Sequence, residues 1–70
     1  MCKTQIEINL TIAKNTLSAY NGYEFSEEGT RLRFKGMSEV IIQNKLREYG
    51  EKRKLLESEI KIYESLVKTI

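Results

Sequence analysis

The feature that most constrains this chain is a stripe in its second half. Ile42, Leu46, Tyr49, Arg53, Leu56, Ile60, Tyr63, Val67 and Ile70 follow one another in alternating steps of four and three residues. That spacing is the seam of a heptad helix, sustained over about four repeats, and it demands a partner surface along its whole length. Arg53 is its only polar member. Its stem is expected to cover apolar surface while its head reaches solvent or a glutamate. Leu55, Ile62 and Leu66 widen the stripe along one side. Ser38 is a good N-cap for this helix, and Met37 and Ile42 stand at the positions of a hydrophobic staple. Gly50 interrupts the run and marks a kink, a close contact or a break between two helices.

Only 41 residues precede the stripe, in a chain of 70 that makes a single domain. A chain so short buries about 60% of its unfolded surface, which leaves it marginal unless something extends its core. Residues 4–21 read as a first helix. Ile6, Leu10, Ala13, Leu17 and Tyr20 share one face, Thr4 and Glu7 match a capping box, and Asn21-Gly22 is a plausible stop. The alternation of Ile6, Ile8, Leu10 and Ile12 is a competing strand signal, but only the helical spacing continues to Tyr20.

Residues 23–35 read as a β-hairpin. With Glu28-Gly29 as the turn, Ser26 faces Arg31, Phe25 faces Leu32, Glu24 faces Arg33 and Tyr23 faces Phe34. One face is then wholly apolar, and a slip of one residue would spoil both faces. The expected fold is therefore α+β: a helix, a β-hairpin and a long helix over residues 38–69 with a kink or break near 50. Its expected core is Ile6, Leu10, Ala13, Leu17, Tyr20, Tyr23, Phe25, Leu32, Phe34, Ile42, Leu46 and Tyr49.

At about 1.5 Å per residue the first helix is roughly 24 Å long and the second roughly 48 Å. The first covers about half of the second. Leu56, Ile60, Tyr63, Val67 and Ile70 are expected to lack cover within the chain and to form the interface of a homo-oligomer.

Little in the sequence suggests catalysis. Histidine and aspartate are absent, and Cys2 is the single thiol, at a terminus without an activating base. Glutamates at i, i+2, such as Glu57 and Glu59, do not face each other on a helix. The expectation is no enzyme, no cofactor and no metal. Twelve basic residues against ten acidic are spread evenly over both halves, without the one-sided basic stripe of a nucleic-acid binder. No apolar run approaches a membrane span, and a soluble, intracellular protein is expected. On the hairpin, alternation would put Arg31, Arg33 and Lys35 on one outer face, a candidate contact for a protein partner.

The stretch from Leu17 to Gly22, the segment Tyr23 to Lys35 with its central glycine, and Met37-Ser38-Glu39 opening a helix resemble the phage lambda gpW-like head–tail joining family. The likeness spans roughly residues 5–49. It implies a small α+β protein of phage or prophage origin that forms an oligomeric connector between the head's portal and the tail. It implies a place first in the bacterial cytoplasm and then in the virion. The heptad pattern continuing to Ile70 departs from that family. The alternative is a small homo-oligomeric helical adaptor or regulator assembled through its C-terminal helix.

Overall fold

The computed structural model describes residues 2–69. The chain is all-helical: α1 (Lys3–Tyr20), a single 3₁₀ turn (Tyr23–Phe25), α2 (Glu27–Arg33) and α3 (Glu39–Thr69). Among the described residues there is no strand, so the α+β expectation and its hairpin are overturned.

The reason lies at Ser26. Its hydroxyl accepts the Gly29 N–H at 3.1 Å, the N-cap geometry that opens a helix. Glu27 and Glu28 occupy the first turn of α2 and Arg31 and Arg33 the last, each complementing the helix dipole. Glu27 and Arg31 close an i, i+4 ion pair at 3.1 Å. These local signals outweigh the period-2 alternation. They also split the apolar face expected of a hairpin: Phe25 and Phe34 turn inward, while Tyr23 and Leu32 are 57% and 64% exposed. A second change concerns Gly50, where α3 continues unbroken. The capping box at Thr4 is likewise not used, because α1 opens at Lys3 with no side-chain cap.

The two long helices do follow their spacing. Ile6 and Ala13 are buried, and Leu10, Leu17 and Tyr20 half-buried, on the predicted face of α1. On α3, Ile42 is buried, and Leu46, Tyr49, Arg53, Leu56, Ile60, Tyr63 and Val67 are half-buried. The helices run antiparallel. Arg53 meets the end of α1 at Tyr20, and Lys14 reaches Glu64 at 3.7 Å. Thus α1 covers the C-terminal half of α3, the half expected to be bare, while the 3₁₀ turn and α2 cap the other half. The molecule is a rod of 50 × 16 × 14 Å.

At the bend, Tyr20, Phe25 and Tyr49 form a ring cluster, with centroids 4.7 Å apart for Tyr20–Phe25 and 4.9 Å, edge-on, for Phe25–Tyr49. Such pairs add about 0.5–1.5 kcal/mol each beyond area burial. Arg53 locks this cluster in place. Its Nε donates to the Tyr20 carbonyl at 3.0 Å and its Nη2 to the Phe25 carbonyl at 2.9 Å. The first of these carbonyls ends α1, where a cation is favoured. The head expected to reach solvent or a glutamate is spent on backbone instead.

Two glycines carry opposite constraints. A Cβ on Gly29 would run into the backbone carbonyl of Tyr23, because α2 crosses the 3₁₀ turn there without clearance. A Cβ on Gly50 would meet nothing within 4 Å. Gly29→Ala should therefore lose about 2 kcal/mol or more through overpacking. Gly50→Ala should gain about 1 kcal/mol of helix propensity. Denaturant melts of the two variants check this; a Gly50→Ala that destabilises would mean that α3 bends there. Arg53→Lys should lose about 2 kcal/mol, since an ammonium cannot reproduce the two fixed donors of the guanidinium. A melt indistinguishable from the parent's would remove Arg53 as the clamp.

Candidate docking surface

Of the three basic residues read as a shared face, the helix separates what a strand would have aligned. At about 100° per residue, Arg31 and Arg33 point roughly 200° apart around α2. Arg31 grips Glu39 with two parallel bonds, Nη1 to Oε2 at 2.8 Å and Nη2 to Oε1 at 2.7 Å, and its Nε holds Glu27. This bidentate fork is the strong form of the arginine–carboxylate pair. Arg33 lies over the rings of Phe25, Phe34 and Tyr49, its guanidinium carbon 5.3, 5.4 and 6.0 Å from their centroids. It also donates to the Glu24 carbonyl at 2.9 Å and to the Tyr49 hydroxyl at 3.1 Å. Lys35 is exposed beyond the end of α2. Two of the three charges are thus engaged within the chain, holding α2 to the start of α3 and to the aromatic cluster.

Leu56, Ile60, Tyr63 and Val67 line the side of α3 that carries the intrachain seam; Ile70 lies outside the described residues. The cover they were expected to need from another chain is supplied by α1. What remains uncovered is the side next to them. Leu55, Ile62 and Leu66 are exposed on α3, and Ile8 and Ile12 are exposed on α1. Helical geometry places Ile12, Leu55, Ile62 and Leu66 along the same long edge of the antiparallel pair, while Ile8 lies on the outer face of α1. Between the two helices, on that edge, lies an open hollow of about 220 Å³ lined by Asn9, Ile12, Ala13, Thr16, Leu56, Glu59 and Tyr63. A second hollow, lined by Thr4, Glu7, Ile8, Thr11 and Ile12, belongs to the outer surface of α1 alone. Five residues of one helix do not make a cleft.

Charge follows the opposite rule. The three ionisable residues within α1, Lys3, Glu7 and Lys14, all lie away from this edge, and Lys14 pairs with Glu64 on the other side. The edge of α1 is built from Gln5, Asn9, Ile12 and Thr16, without a charge. On this flank the α1 side carries no charge, and on the α3 side Glu59 lines the hollow among apolar residues. Leu55, Ile62 and Leu66 were legible in the sequence as a widening of the seam. Ile8 and Ile12 were not, because their alternation with Ile6 and Leu10 reads equally as a strand.

Among the described residues there is no cluster of acidic and sulfur side chains that could hold a metal, and no helix long and apolar enough to cross a membrane. Comparison with protein-family models, with curated proteins and with solved structures finds no match for this chain.

The Arg31–Glu39 pair gives the molecule a pH signature. Hydrogen bonds from Arg31, and then from Gln43, hold the Glu39 carboxyl down at about 2, against an ordinary value of 4.5. Glu39 in turn raises Arg31. A depressed carboxylate stabilises the folded chain fully above its ordinary value, and that contribution disappears as pH falls toward the folded value. Stability should therefore fall between about pH 4.5 and pH 2, and Glu39→Gln should flatten that part of the profile. Superimposable acid profiles for parent and variant, from melts across this range, would show that the pair does not form in solution.

Proposed function

We propose that this chain is a non-enzymatic assembly protein, a helical adaptor that acts by binding other proteins along its apolar flank. The observation that carries this reading is the segregation of the rod's surface, with Ile12, Leu55, Ile62 and Leu66 exposed on one long edge and the charges of α1 on the other. Exposed aliphatic residues scattered singly are ordinary; aligned along an edge, they favour a partner. The available groups are suited to contact: aliphatic side chains, neutral amides and hydroxyls, and a rigid antiparallel scaffold.

Head–tail joining in a phage or prophage, as a connector between portal and tail, is the particular case suggested by the sequence resemblance. It rests on residues 17–22, 23–35 and 37–39 and not on shared architecture, since the hairpin of that family is absent here. The protein would then pass from the bacterial cytoplasm into the virion.

In cells that carry the gene, the tagged full-length chain should sediment in an assembly larger than any homo-oligomer of itself. Ile12→Glu combined with Ile62→Glu should release it from that assembly while leaving its helix content intact. A chain found only free or only with itself would overturn the adaptor reading. For the phage case, deletion of the gene should leave filled heads and separate tails in electron micrographs; joined particles would remove that case.

A further inference from the structure

We propose that the apolar flank is the interface between two copies of this chain, which associate about a two-fold axis into a four-helix bundle. The inference rests on the same edge as the adaptor reading: the second copy covers that edge in the free protein, and another protein binds there by displacing it.

Three observations converge on a second copy. The first is the pattern on α3. Leu55, Glu59, Ile62, Leu66 and Thr69 repeat the steps of four and three one residue ahead of Leu56, Ile60, Tyr63 and Val67. A helix that packs against a single neighbour needs one seam. Two adjacent seams, which together make a wider apolar arc, belong to a helix with neighbours on two sides, as in a bundle. The second seam is continuous with the first, because Leu56 and Tyr63 of the inner seam and Glu59 of the outer line the same hollow with Ile12 of α1.

The second observation is area. The chain exposes 5195 Å² for a mass of 8.2 kDa. A compact monomer of that mass exposes about 4,500 Å². The excess of roughly 700 Å² is close to the ~800 Å² that each partner gives up in an interface of standard size. The core is correspondingly thin: among the described residues, Ile6, Ala13 and Ile42 are its buried apolar members. A second rod laid along the flank would convert the inner seam from half-buried to buried.

The third is charge. A net charge of +2 sets up little repulsion between copies. A two-fold axis across the edge lays the neutral side of each α1 against the Leu55, Ile62 and Leu66 side of the other copy's α3. Gln5, Asn9 and Thr16 then face the one carboxylate of that stretch, Glu59, with neutral donors rather than a like charge. Two-fold pairing of identical surfaces is the commonest closed assembly, and antiparallel hairpins pair naturally in this way.

Sedimentation equilibrium of the purified full-length protein, over a wide concentration range, should show a monomer–dimer equilibrium. Ile62→Glu with Leu66→Glu should weaken dimerisation by roughly a hundredfold or more, since two aliphatic side chains lose their cover. Both residues are exposed in the single chain, so helix content should persist. Val40→Glu, which alters an apolar residue 69% exposed far from the flank, should dimerise like the parent. Should the double variant unfold, the milder Ile62→Ser reads the same interface through the dimer dissociation constant. A parent that stays monomeric throughout, or a dimer indifferent to the folded flank variant, would overturn the proposal. A strict monomer that still enters the larger cellular assembly would sink the second copy and spare the adaptor. A dimer that enters no such assembly would do the reverse.

Discussion

Everything in this molecule hangs on how a 31-residue helix is covered by pieces too short to cover it individually. Arg53 solves the problem at the join. Its guanidinium binds the last carbonyl of α1 and the last carbonyl of the 3₁₀ turn, so two separate covers meet at one side chain. Charged donors to otherwise orphaned carbonyls are among the stronger hydrogen bonds available, and removing one leaves a part-buried acceptor unmet. A leucine at this position would continue the seam but leave both carbonyls without the donor that joins them. The single polar member of the stripe is thus the point from which the chain turns.

Around this clamp, the bend is held by interactions that act in series. Arg33 sits over the rings of Phe25, Phe34 and Tyr49, the first of which belongs to a residue whose carbonyl Arg53 holds, and Arg31 fastens α2 to the first turn of α3 through Glu39. Gly29 allows α2 to cross the 3₁₀ turn at a distance that no other residue permits. Each arginine here has a structural partner, which explains why a cluster of basic residues in sequence does not become a basic patch in space.

The flank exists because two helices in contact can each bury only one arc. An antiparallel pair has a single shared layer, and any residue outside that layer stays wet however apolar it is. Ile12 and Ile62 are exposed for this geometric reason and not for want of hydrophobicity. The adaptor and self-association proposals both rest on the same surplus: a rod with one seam satisfied and a second seam open.

Periodicity indicated the two long helices and which side of each faces inward, because each spacing persists over most of the 18 or 31 residues, but it left open whether α3 runs unbroken through Gly50. The polar position at Arg53 was equally visible, though not its task. The middle segment was not decided this way. Over residues 23–35 a strand pattern and a helix pattern coexist, and too few residues are present for either period to dominate. Capping by Ser26, the Glu27–Arg31 pair and the fit of Gly29 against Tyr23 tipped it to helix, and the last of these exists only once the tertiary crossing has formed. The direction of cover was also beyond the sequence. Helix lengths say that α1 reaches half of α3, but which half depends on where the chain reverses, and that is set by the Arg53 clamp and the ring cluster rather than by any pattern along the chain.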